Sequence, residues 1–287
     1  MSQLISLTHR DYDVLDALGD YRFLAPRHLA ALHFPSEDAA VRRMRELCKA
    51  HLAHRVTMPV RPYSTTPVSI FALSRVGATY AATRHGGELP RFLTEREQRT
   101  GHFLEHTLAR NDVRVVMERL SQMHPKFTLL SWRQTPDQVR GSAIVEKRRG
   151  FAERVRFVPD GVAIVRVGHE CHALAIEIDR GTVKTKNMAL RYQAYWRYWR
   201  DGGARRDYGP VPFRVLTLTT TPRHQAQLEK VARRAPDGRI GTKVFWFALQ
   251  EDVADLRQPE KLLRPSWSVA AHAPMTNQPL FFQKLLN

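Results

Sequence analysis

The apolar residues of this chain change their spacing partway along, and that change limits the folds open to it. Up to about residue 123 they recur every three or four positions, as on helices with one buried face, interrupted by a single hairpin-like stretch. Beyond residue 126 they alternate or run in short β-rich blocks separated by helical segments, the signature of a sheet flanked by helices. The expected class is therefore α/β, or α+β overall, in two parts. A length of 287 residues accommodates two modest domains without covalent staples.

In the first part, residues 8–34 read as two short helices. Thr8 is placed to cap the first, with Asp11 at its third position, and Gly19 is placed to end it; Pro26 opens the second. Ser36 caps a third helix whose first turn carries Glu37 and Asp38, where the helix dipole favours negative charge. Val41, Met44, Leu47, Cys48 and Leu52 form its apolar stripe, and Arg42, Arg43, Arg45 and Lys49 mostly fall off that stripe. Val56–Pro62 and Val68–Leu73 then suggest a two-stranded wing, and a helix from Ser74 to about Arg84 closes the unit.

Three helices followed by a hairpin is the winged helix-turn-helix order, in which the third helix reads DNA. Outward arginines there can bond guanine edges two at a time or clamp phosphates. The same pattern also suits a solvated face paired with Glu37, Asp38 and Glu46, and such a unit can serve as a protein-docking module.

Charge favours the first reading. Lys and Arg number 45 against 28 Asp and Glu, a formal net charge of +17. Such an excess draws polyanions by releasing their counterions. DNA is the expected partner, and most of the excess lies beyond residue 100. No apolar run approaches the roughly 18 residues of a membrane span, and the N-terminal residues carry no signal segment, so a cytoplasmic protein without a membrane partner is expected. Two cysteines, Cys48 and Cys171, exclude a disulfide framework and a cysteine zinc site.

In the second part, a long helix over residues 95–123 precedes a strand at Lys126–Trp132, and the basic stretch Gln134–Gly150 reads as an exposed hairpin or loop. Val155–Val165 and His172–Asp179 read as strands, Lys184–Arg200 as a helix, Gly202–Pro212 as a loop, Phe213–Thr219 as a strand, Pro222–Ala235 as a helix and Val244–Leu249 as a strand. The tail beyond Leu256 reads as loosely ordered. Asp160 falls inside the first of these strands, and Glu177 and Asp179 near the end of the second. Strand alternation puts Glu177 and Asp179 on one face, and Asp160 joins them if the strands are neighbours. Three converging carboxylates repel unless a cation neutralises them, so Asp160, Glu177 and Asp179 are candidate ligands of Mg2+ or Mn2+. Lys184 and Lys186 follow at once, where a cation could meet a scissile phosphate. The plainer alternative is a set of ordinary acidic residues at strand ends and turns.

Taken in order, Pro159-Asp160-Gly161, Ala175-Ile176-Glu177-Ile178-Asp179-Arg180-Gly181-Thr182 and Leu190-Arg191-Tyr192 with Tyr195 resemble the replication-relaxation family of plasmids and mobile elements. The helix text from His106 to Val113 is similar to that family, as are Leu32-His33-Phe34, Arg42-Arg43 and Leu73-Ser74. The resemblance runs over about residues 7–235. It implies a winged-helix DNA-binding domain at 1–90, a linking helix at 91–125, and at 126–287 a restriction-endonuclease-like mixed sheet flanked by helices, of the PD-(D/E)XK kind. Implied catalytic residues are Asp160, Glu177, Asp179, Lys184 and Lys186; implied DNA contacts are Arg42, Arg43, Arg45, Lys49, Lys147, Arg148, Arg149 and Arg180. The nuclease pattern places lysine two residues after its glutamate, and here Asp179 stands there. Two functions follow from the resemblance: a metal-dependent endonuclease or nickase, or a non-enzymatic regulator of replication or transcription on a degenerate nuclease scaffold. Further candidate partners are a second copy of the chain and proteins of replication or conjugation.

Other motifs carry less. His102-Phe103-Leu104-Glu105-His106 matches a zinc-peptidase pattern, with Glu177 as a conceivable third ligand, but a five-residue match arises readily in a chain with 13 histidines. Tyr192, Tyr195, Trp196 and Trp199 could stack on bases, yet at helical spacing they read first as core. His169, Cys171 and His172 lack a fourth ligand, and the glycine pairs make no phosphate loop.

Overall fold

The computed structural model describes residues 5–58, 69–84, 86–94, 100–146, 152–181, 185–236, 241–264, 266–271 and 275–278. The chain separates into two units, Met1–Val115 and Val116–Asn287.

The first unit opens with α1 (His9–Tyr21), α2 (Pro26–His33) and α3 (Glu37–Lys49). The Asp11 carboxylate reaches back to the N–H and hydroxyl of Thr8, each at 2.7 Å, and so ties the start of α1. That helix runs past Gly19 to Tyr21; a Cβ on Gly19 would stand 2.8 Å from Pro90, so the glycine serves close packing there. Ser36 caps α3 as expected, its hydroxyl accepting the Ala39 N–H at 3.2 Å. Next come β1 (Ala53–Thr57) and β2 (Ser69–Leu73), an antiparallel pair with Ala53 opposite Leu73, followed by α4 (Arg75–Ala82). Leu24 exchanges two backbone hydrogen bonds with Phe71, at 2.9 and 2.8 Å, which adds a short third rung to the hairpin. Phe23, Val56, Ile70, Ala72, Leu93, Leu104 and Leu108 form one core of this unit.

A long helix, α5 (Gly101–Met123), begins in this unit. Its Asn111 side-chain amide donates to the carbonyls of Tyr21, at 3.2 Å, and Phe23, at 2.7 Å. Asp112 accepts two bonds from Arg27, at 2.9 and 3.1 Å, and one from Nε2 of buried His28, at 2.7 Å. Nδ1 of His28 accepts the Ala25 N–H at 3.0 Å, so the ring is neutral with its proton on Nε2. The Asn111-Asp112 pair thus fixes α5 to the start of α2, which gives that stretch of sequence its structural role.

The second unit holds β3 (Phe127–Arg133), α6 (Pro136–Val139), β4 (Gly141–Glu146), β5 (Ala152–Phe157), β6 (Gly161–Val167), β7 (Glu170–Asp179), α7 (Thr185–Arg200), α8 (Gly203–Tyr208), β8 (Phe213–Thr219), α9 (Pro222–Ala232), β9 (Phe245–Leu249), α10 (Gln250–Val253), a 3-10 turn (Pro259–Leu263), β10 (Trp267–Val269) and β11 (Met275–Gln278). Seven strands form one mixed sheet in the order β11-β10-β9-β8-β7-β6-β3. The pairs β3/β6 and β6/β7 are antiparallel, whereas β7/β8 and β8/β9 are parallel, each joined through a helix. From α5 onward the large sheet and its helices follow the order helix, three antiparallel strands, helix, parallel strand, which is the order the residue pattern suggested. Strands β7 and β8 are buried almost throughout, in keeping with their apolar runs.

Three expectations change. Val155–Val165 is two strands: Pro159, which lacks an N–H, separates β5 from β6, and β5 turns back to pair with β4 outside the large sheet. The Gly202–Pro212 loop contains α8. The tail is ordered through the described residues, with Trp267 fully buried and its indole N–H donating to the Leu262 carbonyl at 3.1 Å.

Candidate functional site

Register decides where the acidic residues meet. Gly161 stands opposite Ile176, so Asp160 comes level with Glu177 at the head of β6, on the face shared by Glu177 and Asp179. Thr217 and Thr219 of β8 pair with Glu177 and Asp179, extending the polar group along the carboxyl ends of the parallel strands. Tyr192 and Tyr195 of α7 and His224 of α9 meet the same group, because the Tyr192 hydroxyl lies 3.1 Å from that of Thr217 and His224 Nε2 lies 3.2 Å from Asp179.

Each carboxylate has a partner. Glu177, only 2 % exposed, accepts Arg191 Nη1 at 2.7 Å on one oxygen and the Tyr195 hydroxyl on the other. A second Arg191 nitrogen reaches the Val158 carbonyl at 3.4 Å. The Glu177 charge holds Arg191 above its ordinary basicity, and burial pushes the Tyr195 hydroxyl well up, keeping it protonated as a donor. Asp160 accepts the Ile178 N–H at 2.7 Å, while its own N–H donates to the Ile176 carbonyl at 2.9 Å. Asp179 accepts the Gly181 N–H at 2.8 Å.

Asp160, Glu177 and Asp179 thus share a face, with each carboxylate already bonded within the protein. Among the described residues, no group of three or more His, Cys, Asp or Glu side chains stands close enough to hold a metal ion. The Arg191 guanidinium, 2.7 Å from one Glu177 oxygen, stands where a divalent cation on that carboxylate would sit. Lys186 is exposed in the first turn of α7, and the cation that reaches Glu177 is Arg191, one turn further on. Lys184 lies outside the described residues, as do Lys147, Arg148 and Arg149; Arg180, next to Asp179, is partly buried.

On α3 the four expected DNA contacts divide. Arg42, Arg45 and Lys49 are exposed, at spacings of three and four that align them on one face, opposite buried Ala40, Met44 and Leu47. Arg43 turns the other way. It holds fully buried Asp11 with two bonds, at 2.8 and 2.7 Å, bonds Glu46, and donates to the Ser6 carbonyl at 3.0 Å. Burial alone would raise the Asp11 carboxyl; the bonds from Arg43 and Thr8 more than reverse that and hold it below the usual carboxylate range. Arg43 is therefore a brace between α1 and α3, and its guanidinium is not presented outward for bases.

Residue reading missed Arg191, Tyr195 and His224 as partners of the acids. Their spacing from those acids reflects helix packing over a sheet, which no local period encodes. The tyrosine stripe was legible as core: Tyr192 and Tyr195 are fully buried, although Trp199 remains 39 % exposed.

The fold and site together define a mixed α/β protein with a closed acidic cluster on its sheet and a basic helix face on its first unit. The family model for replication-relaxation matches residues 15–213, well over half of the 287, and the chain belongs to that family. Among curated proteins none matches. A solved structure of restriction endonuclease FokI is similar at 10% identity and a TM-score of 0.29; the match covers 90% of this chain and 46% of that one, so this chain spans less than half of it. No described helix is long and apolar enough to cross a membrane.

Proposed function

We propose that this is a DNA-binding protein of replication or relaxation in plasmids or mobile elements, whose first unit works as a winged helix. The observation that carries this is the α3 face. Arg42, Arg45 and Lys49 project together from a buried stripe, and none forms an ion pair among the described residues. Three such cations suit phosphates or guanine edges. The second unit, in this reading, is a nuclease-like scaffold that binds without efficient cleavage, because Arg191 and Tyr195 fill the Glu177 carboxylate.

The test is fluorescence anisotropy on labelled duplex DNA across salt concentrations. The triple variant R42A/R45A/K49A should bind at least about tenfold more weakly, with a salt slope shallower by two to three, at roughly one unit per lost phosphate contact. Equal affinity and slope in that variant would remove the reading.

A metal-dependent nickase is the second reading, favoured by the shared face of Asp160, Glu177 and Asp179. It requires Arg191 to release Glu177. Supercoiled plasmid incubated with Mg2+ or Mn2+ distinguishes the two: chelator-sensitive open circles, lost in D160A/E177A, support the nickase, and binding without nicking supports the first reading.

A further inference from the structure

A second basic site lies in the C-terminal unit, away from the acidic cluster's buried centre. Residues Arg140, Ser142, Arg154, Arg156 and Arg206, with Tyr198, line a cleft of about 580 Å³. Its construction follows from the β4–β5 hairpin. Ser142 pairs with Arg156 and Ile144 with Arg154, so these four side chains share one face. The other face carries Ala143, Val145, Val155 and Phe157, which pack with Tyr195 and Tyr198 of α7. With its apolar side held against the helix, the hairpin presents its arginines outward.

Gly141 is part of this arrangement. It stands opposite Phe157, and a Cβ there would come within 2.3 Å of the Phe157 ring. The missing side chain lets the Phe157 ring lie close against the backbone of β4. From the opposite side, α8 supplies Arg206.

The charges are poorly matched within the protein. The only acid among the lining residues is Asp207, which already accepts the Tyr198 hydroxyl at 2.7 Å and Arg206 at 2.8 Å. Among the described residues, Arg154 reaches only the Ser142 hydroxyl, at 3.4 Å. Arg140 stands 3.8 Å from Asp137, both heavily exposed, and Arg156 has no partner among the described residues. Beyond Asp207, which Arg206 already holds, no lining residue carries a negative charge to offset Arg140, Arg154 and Arg156, and planar guanidiniums match phosphate oxygens well.

We infer that this cleft grips the phosphodiester backbone of a nucleic-acid strand, through Arg140, Arg154, Arg156 and Arg206. The inference rests on the DNA-binding reading and extends it to a second contact surface. Val158 joins the two parts of the unit: it lines the cleft, and its carbonyl receives Arg191, the cation on Glu177. The cleft wall at Val158 is therefore linked to the acidic cluster through Arg191.

Full-length protein is titrated into labelled duplex and single-stranded DNA over a range of salt, as R154A/R156A, as R154K/R156K and as R42A/R45A/K49A, with unfolding midpoints measured for each. The alanine pair should weaken binding about tenfold or more and flatten the salt slope by about two, at an unchanged midpoint, while the lysine pair recovers most of the slope. Inorganic phosphate at the same ionic strength should compete no better than chloride. Wild-type affinity and slope in R154A/R156A, with the α3 variant impaired, overturns the cleft and leaves the DNA-binding reading standing. Tight competition by inorganic phosphate overturns the backbone assignment in favour of a small-anion site. Absence of salt-dependent DNA binding by the wild type overturns both.

Discussion

Asp11 and Glu177 are both buried carboxylates held by an arginine, and they serve different ends. Asp11 lies between two helices and takes every bond from its own neighbourhood: Thr8 at the head of α1, and Arg43, whose guanidinium also meets Glu46 and Ser6. Removing a charged group from water and bracing it this way fixes α3 on α1. Glu177 lies at the carboxyl ends of parallel strands, among Asp160, Asp179, Thr217, Thr219 and His224. Open α/β sheets bind ligands at such strand ends. Buried Thr219 Oγ1, Asp179 Oδ2 and His224 Nε2 there have no hydrogen-bond partner of good geometry among the described residues. One cluster is complete in itself; the other keeps unused polar capacity beside it.

The largest effect separating the two should come from Arg191. R191A strands Glu177 in the interior without its cation, which costs about 3–5 kcal/mol; urea unfolding measures it, and the double variant E177Q/R191M should recover most of the loss. A cost below about 1 kcal/mol would mean that water reaches Glu177 freely and that the contrast in burial is lost. R43A comes next, at about 2–4 kcal/mol, because Arg43 is partly exposed while Asp11 is not. Its neighbour R42A should shift stability by no more than about 0.5 kcal/mol. Equal costs for Arg42 and Arg43 would return Arg43 to the outward-facing set.

Acid provides the broadest test. Burial pushes His172 down to about 4, and it also lowers His28 against the pull of Asp112. An unfolded histidine takes up its proton near pH 6.5. The folded state therefore keeps the full contribution of these rings above about pH 6.5 and loses it as pH falls, for His172 through about pH 4. A loss of about 3 kcal/mol is expected for His172, and H172Q should flatten that part of the curve. Asp11 follows the same direction at lower pH: its carboxyl is lowered, so its contribution is present above the ordinary value of 3.8 and disappears only below it. A stability curve flat between pH 7 and 4 would contradict the burial of both rings.

Much of the scaffold was legible because it is local. Ser36, the Met44 and Leu47 stripe, the hairpin before α4 and the alternation along β7 each act over a few residues. Even the shared face of Glu177 and Asp179 followed from strand geometry alone. What stayed hidden depends on segments far apart in sequence. Arg43 finds Asp11 across 32 positions, and Arg191 reaches Glu177 across 14 only because α7 folds back over its own sheet. The break at Pro159 was readable in principle, since a proline without an N–H fits poorly inside a paired strand. The apolar residues on both sides obscured it. The arginine cleft draws on a turn, two hairpin strands and a short helix, and no window of sequence contains it.

The Asp160 carboxylate, by taking a main-chain N–H of β7, stands in for the peptide oxygen that β6 would have offered one rung further on. Its effect is a proofreading mark on strand alignment. Sliding β6 by one residue would put Pro159 or Gly161 in that place, and neither side chain has an acceptor, so misaligned pairings of this sheet forfeit a bond that the native one keeps.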